Sequence, residues 1–592
     1  MPNKLTNIIA FLLLLFVFLV AMFSMRGDSL TMDEVAHLPA GYSYLTQKDM
    51  RLNPEHPPLI KDLAGLPLLF LENIKFPSEI KEWKEDINGQ WGFGYHFLYK
   101  AGNPADQMIF WARIPMILIL VLLGFYVFKW AKELFGNKVA LLALTFFSFS
   151  PTFLAHGRLV TTDVGAAAGS FIATYYFIKF LSNPSKKNII IAGISFGLAL
   201  LCKFSVFLLI PFFGLAAIVW GLINGKQRKI KTVFKYIGLT ILVGIVGLIL
   251  IWPVYQYHVW NYPPERQVRD SEVFLSAYPD FVQKPILWMA DKPVLRAYAQ
   301  YFTGLFMVLH RGSFGHTTYF MGEISNLGWK HYFPVVYAIK VPLAFHVLTV
   351  ISLLYAAWLI KKPFWQNALS RSVGWIKNHF AEFSMLLFMG IYWASSLYSN
   401  LNIGVRHLLP VFPFTFVLVS LGTVKWIEEI KKIPLKKMAV SFVSVLVGWF
   451  IVSSLICFPH FLTHFNELAG GPDKGYIYTV DSNLDWGQDL KRLKKWVENP
   501  PTGREIDKIY VDYFGGGDAQ YYLKEKYASW SGNQNPEEFP KGNYLAISAT
   551  FLQGGRGEPA PKFDQPTGQY RWLNNYEPVA KIGYSIFVYY IN

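Results

Sequence analysis

Two cysteines in 592 residues, Cys202 and Cys457, exclude a scaffold built on disulfides. Their spacing suits no metal site, and both fall near the outer ends of apolar runs. They read as free buried thiols, with a disulfide between them as the alternative. Charge is also sparse, at 16% of residues. The chain has no phosphate-binding glycine loop with Lys-Ser or Lys-Thr, no His-Glu-x-x-His and no paired Cys-x-x-Cys, so P-loop nucleotide chemistry and zinc hydrolysis of those kinds have no carrier. Gly515-Gly516-Gly517 is a lone glycine run and indicates only a turn. There is no internal repeat and no low-complexity stretch.

What fills the chain is apolar. Hydrophobic residues make up 53% and the mean hydropathy is +0.29. A soluble protein needs a polar surface and rarely reaches that average, so the excess belongs in lipid. Aromatic residues reach 17%, which serves headgroup-level anchoring and the flat faces of sugar sites equally well. Apolar runs at 8–24, 108–128, 138–155, 163–181, 188–202, 205–223, 233–255, 333–360, 383–399, 408–426 and 437–458 predict about eleven transmembrane helices. The first resembles a signal peptide but is followed by Met25-Arg26-Gly27-Asp28, with no small-residue cleavage site, and reads as a retained span.

The net charge of +16 follows topology rather than nucleic acid, which is not expected as a partner. Loops Lys129–Lys138, Lys179–Lys187, Lys226–Lys235, Lys361–Lys377 and Lys425–Lys437 hold twenty Lys and Arg. The three short loops of the other side hold one each: Arg158, Lys203 and Arg406. The positive-inside rule then puts the N-terminus in the cytoplasm and, with an odd span count, the C-terminus outside. Three long segments lie outside: 25–107, 258–332 and the tail from 460. The tail alternates strand-like and helix-like pieces at Tyr476–Val480, Gly487–Glu498, Lys508–Tyr513, Ala519–Tyr527, Tyr544–Ile547 and Ser585–Ile591. The expected organisation is a membrane domain over 1–459 and an extracytoplasmic α/β domain over 460–592.

Acid, base and phosphate-binding side chains gather at helix ends on that outer side, while the helix middles are almost free of charge. A transporter needs ionisable groups near the midplane, so the pattern favours surface chemistry. The pair Asp33-Glu34 follows the first helix and reads as a base with an orienting partner, a cation site, or a solvated loop start. In Asn53-Pro54-Glu55-His56-Pro57-Pro58-Leu59 the prolines fix the backbone, and Leu59 to Leu71 is too short to span and fits an interfacial helix holding Glu55 and His56 at headgroup depth. The bland account is a rigid turn facing water. Asp163, after Arg158-Leu159-Val160-Thr161-Thr162, is a helix cap or a catalytic acid. Lys203 is a snorkelling anchor or a phosphate ligand, and Arg406 with His407 has the same two readings at another helix start. In Asp481-Ser482-Asn483-Leu484-Asp485-Trp486-Gly487-Gln488-Asp489, Asp485 and Gln488 suit a capping box for a helix near Gly487. Asp481 and Trp486 are left over as candidates to hold a sugar acceptor, against plain packing.

Together these motifs resemble the GT-C glycosyltransferases. The acidic pair after the first helix, Asn-Pro-Glu-His-Pro-Pro-Leu, Arg-x-x-Thr-Thr-Asp, Gly322-Glu323 with Lys340-Val341-Pro342, and Arg406-His407-Leu408-Leu409-Pro410 are similar to the bacterial branch related to dolichyl-phosphate-mannose–protein mannosyltransferases (glycosyltransferase family 39-like) and to the lipid A aminoarabinose transferase. Asn466-Glu467-Leu468-Ala469-Gly470-Gly471-Pro472 and the Asp481–Asp489 stretch look like an uncharacterised subgroup. The likeness runs the length of the chain. It implies a GT-C membrane fold, a polyprenyl-phosphate monosaccharide donor, Asp33 as the base and Asp163 as a residue that shapes the site. The chain departs from the protein mannosyltransferases in lacking their extra module between later helices and in carrying an α/β tail.

The residues fit that chemistry. A lipid phosphate leaves as a stable anion and needs cations, for which Lys203, Arg406, Arg158 and His56 are the candidates. Asp33 can take the acceptor proton, so one displacement inverts the anomeric centre. Glu55, His407, Asp481 and Trp486 are the candidate substrate contacts. No cofactor and no metal is expected, the alternative being a divalent cation among Asp33, Glu34 and Asp163. Expected partners are the donor, membrane lipids, and a glycan, lipid or protein acceptor. The competing reading is a flippase or transporter of lipid-linked sugar. The charge asymmetry generates one direct expectation: a topology reporter fused after Lys231 reads as cytoplasmic and one after Asn592 as external, and a cytoplasmic reading at Asn592 breaks the span count.

Overall fold

The computed structural model describes residues 2–225, 228–360, 366–501, 503 and 505–592. Lys226 and residues 361–365 of the predicted basic loops lie outside these. Among the described residues, eight helices are long and apolar enough to cross a membrane: Asn3–Gly27, Ala105–Phe135, Asp163–Ser182, Phe204–Asn224, Lys229–His258, Phe380–Tyr398, Val405–Glu429 and Ile433–Leu455. Tyr332–Lys340 and Leu343–Trp358 meet at 111° and make a ninth if taken as one span. Their bend has a local cause. Pro342 has no N–H to donate and forces Val341 into extended backbone, at φ −89° and ψ 135°. The chain is a polytopic membrane protein.

Two of the eleven expected runs form shorter helices. The run at 138–155 splits into Asn137–Ser148, of 12 residues, and Pro151–His156. Ser150 Oγ accepts from Phe153 N–H and Pro151 takes the first helical position, so a new helix starts where the old one would have continued. The run at 188–202 is the 15-residue helix Lys186–Leu200. It breaks at Lys203, whose extended backbone turns the corner into Phe204. Both cysteines are free and buried.

In the first long segment, helix Glu34–Gln47 packs on helix Leu59–Gly65, which continues as the 3₁₀ turn Leu66–Phe70. Leu66, Leu69 and Phe70 are exposed, as an interfacial helix requires. The two helices touch backbone to backbone at Gly41 and Gly65. A Cβ on Gly41 would stand 2.0 Å from Lys61 O, and one on Gly65 2.8 Å from Gly41 C.

The tail carries a five-stranded sheet in the order β4-β3-β5-β8-β7: β3 (Ile509–Asp512), β4 (Tyr527–Ser529), β5 (Asn543–Ser548), β7 (Ala580–Ile582) and β8 (Ile586–Ile591). Strands β3, β4 and β5 are parallel, and β8 runs antiparallel to β5 and β7. A smaller sheet joins the second long segment to the tail: the hairpin β1 (Thr318–Phe320) and β2 (Glu323–Ser325) pairs with β6 (Glu558–Pro559). The piece at Tyr476–Val480 is no strand. It is a 3₁₀ turn over Gly475–Ile477 followed by one bridge from Thr479 to Phe320. The apolar core is continuous across the boundary near 460, since Trp486, Leu490 and Val511 belong to the same buried cluster as the membrane helices.

The Gly41 contact generates a stability expectation. Gly41→Ala forces the two outer helices apart and costs about 1–3 kcal/mol, the usual range for overpacking against fixed neighbours. A lower thermal midpoint in detergent checks it, and an unchanged midpoint means the two helices separate freely.

Candidate active site

The site is assembled from four distant stretches of chain. Just after the first helix, Asp28 pairs with Arg158 at 2.9 Å and Arg492 at 2.8 Å. Ser29 N–H donates to Gln488 O at 2.9 Å, Ser29 Oγ to Gly487 O at 2.7 Å, and Met32 N–H to Trp486 O at 3.0 Å. In return Leu490 N–H donates to Ser29 Oγ at 3.0 Å. These bonds clamp 28–32 against the tail and set Asp33 at the mouth of helix Glu34–Gln47.

Glu34, expected beside Asp33 in the chemistry, is turned away from it. Its Oε1 accepts from Arg113 Nε at 2.8 Å and Val160 N–H at 2.9 Å, and its Oε2 from Arg113 Nη2 at 2.6 Å and Thr31 N–H and Oγ1 at 2.9 Å each. With every lone pair direction used and no exposure, Glu34 holds the fold together and has no lone pair left for a substrate. Arg158 is likewise removed from the candidate phosphate ligands, because it is buried against Asp28. Asp33, Glu34 and Asp163 do not gather around a cation position; among the described residues no three His, Cys, Asp or Glu do.

Arg406 is the centre of the arrangement. Its Nη1 donates to Asp33 Oδ2 at 2.7 Å and to Asp163 Oδ2 at 3.2 Å, and its Nε to Ser482 Oγ at 3.0 Å. The guanidinium lies 4.2 Å from the centre of the Trp486 ring. Lys203 Nζ donates to the other oxygen of Asp163. Asp163 therefore does not cap its helix, whose N-cap is Thr162 without a side-chain bond. It joins two cations instead. Burial pushes the Asp33 carboxyl up and Arg406 pulls it down, leaving it below the usual carboxylate value. Its side chain keeps 22% exposure, the most open of the four charged groups.

The Asn53–Leu59 segment is held by a residue that sequence reasoning missed. The buried Lys61 ammonium is ringed by Tyr44 OH at 2.9 Å, Asn53 O at 2.8 Å, Asn53 Oδ1 at 2.9 Å and His56 O at 2.7 Å. This places Glu55, which accepts from Gln90 Nε2 at 2.9 Å and Arg311 Nη1 at 3.3 Å. His56 packs edge-on to His37 at 5.0 Å. Burial, then the charges of His37, Lys203, Lys61 and Arg311, pushes His56 well below the ordinary imidazole value. It is therefore neutral near pH 7 and does not serve as the phosphate cation expected of it. Arg311 stands on the cavity wall with Lys203 and Arg406.

In the tail, Asp485 does not cap the helix that follows it in sequence. Helix Leu490–Glu498 starts at Asp489, and Asp485 Oδ2 accepts from Thr550 N–H at 2.9 Å. Gln488 braces the turn, accepting from Trp486 N–H at 2.9 Å and donating to Leu484 O at 2.9 Å. Trp486 is 1% exposed and backs Arg406. Asn483 Oδ1 accepts from Val405 N–H at 2.9 Å, and Asn483 O accepts from Lys340 Nζ at 2.6 Å, so this stretch is a wedge seating the Arg406 segment. Asp481 has a left-handed backbone, φ 54°, and one free carboxylate oxygen, and burial pushes its pKa up to about 6.

These groups surround a cavity of about 370 Å³. Asp33, Glu55, His56, Lys203, Arg406, His407, Asp481 and Trp486 all line it, and Asp163 stands directly behind Lys203 and Arg406. Tyr392, Ser396 and Leu208 continue its wall down between the helices.

The family model of dolichyl-phosphate-mannose-protein mannosyltransferase matches residues 105–252, the stretch that contains Arg113, Asp163 and Lys203. The chain thus resembles the GT-C glycosyltransferases, as its motifs implied. Among solved structures it is similar to ArnT from Cupriavidus metallidurans bound to undecaprenyl phosphate, at 11% identity over 98% of this chain and 97% of that one, with a TM-score of 0.44. It is also similar to the Archaeoglobus fulgidus oligosaccharyltransferase tethered to an acceptor peptide, at 12% identity over 98% of this chain and 72% of that one, with a TM-score of 0.48. No curated protein matches the chain.

The Glu34–Arg113 pair generates a test of role. Arg113→Ala leaves a buried carboxylate alone and costs about 3–5 kcal/mol, seen as lost folded yield. Glu34→Gln keeps the shape and several bonds and retains much of the turnover of whatever protein folds. A well-folded Glu34→Gln protein with abolished turnover would return Glu34 to the chemistry.

Proposed function

We propose that the protein is an inverting glycosyltransferase that moves a monosaccharide from a polyprenyl-phosphate donor to an acceptor hydroxyl on the outer face of the membrane. The observation that carries this reading is Arg406, set between Asp33 and Asp163 with Lys203 beside it, on a cavity at the ends of apolar helices. The mannosyltransferase-family match supports it. The proposed orientation has the N-terminus cytoplasmic and the tail outside, in keeping with the basic loops.

Among Lys203, Arg406, Asp33 and Asp163 the two cations and two carboxylates balance. A lipid phosphate between Lys203, Arg311 and Arg406 adds negative charge and competes with Asp33 for the guanidinium. Losing that partner makes Asp33 a stronger base at the moment a donor is in place. The acceptor oxygen then bonds to the anomeric carbon as the bond from that carbon to the phosphate oxygen breaks. The proton passes to Asp33 and the lipid leaves as a phosphate monoester held by the cations. Because the leaving group is already a stable anion, the reading includes no essential metal. Asp163 keeps Lys203 and Arg406 aimed at the phosphate position.

The test is transfer by purified protein given radiolabelled polyprenyl-phosphate monosaccharide and membrane extract as acceptor source. Release of lipid phosphate is expected, against the mere relocation a flippase would give. Asp33→Asn, nearly isosteric but unable to take a proton, is expected to lose on the order of a hundredfold or more in turnover. Lys203→Ala is expected to raise the donor KM about tenfold by removing one charge-assisted bond. Near-parent turnover by well-folded Asp33→Asn removes Asp33 as the base, and unchanged donor KM in Lys203→Ala leaves that lysine as a membrane anchor.

A further inference from the structure

A second cavity, of about 500 Å³, opens in the tail. It shares His316, Asp481 and Phe514 with the first, so the two are neighbours with Asp481 in the wall between them. Its chemistry differs from its neighbour's. The first is lined by Lys203, Arg311 and Arg406, whereas among the described residues no Lys or Arg lines the second.

What lines it instead is two carboxylates, Asp481 and Asp512, with hydroxyls and amides set among aromatic faces. The amides of Asn533 and Gln565 make no side-chain bond to the protein beyond local turns, and both side chains are exposed on the rim. Asp512 is fixed by Gly532 N–H at 3.2 Å and by Tyr570 OH, which leaves its other oxygen free to accept. Phe551 and Phe563 supply partly open ring faces, with Phe514 edge-on to Phe551 at 5.7 Å. Carboxylate and amide groups around aromatic faces match a sugar, whose hydroxyls need hydrogen bonds and whose C–H face stacks on rings. An anionic headgroup or phosphorylated acceptor finds no cation there. A peptide added as a strand beside β1 finds that edge already in use, since Phe320 bridges Thr479 and Met321 N–H donates to Tyr478 O at 2.8 Å.

We infer that this cavity is the acceptor site and that it takes an uncharged carbohydrate chain, whose terminal hydroxyl reaches past Asp481 towards Asp33. The inference rests on the transferase reading, since it names that enzyme's acceptor class. The cavity volume falls within the ordinary range for small-ligand pockets, about 300–1,000 Å³, which accommodates a short stretch of sugar units.

Gly554 provides the test. It lines the cavity, and a Cβ placed on it meets no heavy atom within 4 Å, so a side chain starts there without a clash and Gly554→Trp adds bulk at the cavity wall. The full-length protein in detergent is applied to an array of neutral oligosaccharides, phosphorylated oligosaccharides and unmodified peptides, with Gly554→Trp and Phe551→Ala in parallel. In each sample a thermal shift with undecaprenyl phosphate reads the first cavity and reports folding. The expected result is retention of neutral oligosaccharides by the parent, weakened at least about tenfold by Gly554→Trp and measurably by Phe551→Ala, with the lipid-phosphate shift preserved. Retention of only phosphorylated probes or only peptides overturns the inference, as does no retention at all, or neutral-glycan binding that Gly554→Trp leaves intact. Loss of the lipid-phosphate shift in the parent itself counts against the transferase reading instead, so the two failures are told apart.

Discussion

A guanidinium buried at the edge of a membrane domain has to be matched by negative charge and hydrogen-bond acceptors, and that requirement organises this protein. Arg406 is 6% exposed, and a cation so placed costs several kcal/mol unless it is paired. Its partners come from everywhere in the chain: Asp33 from the first outer segment, Asp163 from the start of a later helix, Ser482 and the Trp486 ring from the tail. Each partner needs its own support. The clamp between Ser29 and Gly487–Leu490 supports Asp33, Lys203 supports Asp163, and Asn483 supports the backbone at Val405. The cavity is the space these obligations leave between them.

The same logic separates two kinds of charged residue that look alike along the chain. Glu34 and Arg158 are as buried as Asp163 but face inward, Glu34 onto Arg113, Thr31 and Val160, and Arg158 onto Asp28, with its Nε and Nη1 left without a hydrogen-bond partner. Asp33, Lys203 and Arg311 keep an open side. Adjacent letters such as Asp33-Glu34 therefore carry opposite duties, because successive residues at a helix start point in different directions.

The membrane class, most spans and the side on which polar groups gather were legible in the sequence, since apolar length and charge position are local properties. So were Asp33, Asp163, Lys203 and Arg406 as a set, because charge at the end of an apolar run is conspicuous. The breaks at Ser150-Pro151 and at Lys203 were harder to read: apolar residues continue on both sides, and only the cap and the extended backbone end the helices. Arg113 and Lys61 were missed, although Arg113 is a lone charge among apolar neighbours, a signal that was available; Lys61 is followed at once by Asp62 and reads as half of a surface pair. The roles within Asp481–Asp489 depended on partners some 80 to 460 positions away, Val405 and Ser29 among them, and no local pattern encodes those. The strands β4 and β7, of three residues each, have too little periodicity to stand out.

Ser29 and Gly487 are 458 positions apart, yet they are bonded in the finished structure. A ribosome delivers residues from the N-terminus, so Asp33 emerges long before the tail that fixes it and before the arginine that neutralises it. Until the tail is made, Asp28 lacks Arg492 and the 28–32 segment lacks the Gly487–Leu490 clamp. The recess around Asp33 is therefore complete only once the segment at 481–490 has docked. A chain cut before Asp481 would keep its apolar helices and lack the wall of the recess that Asp481 and Trp486 supply.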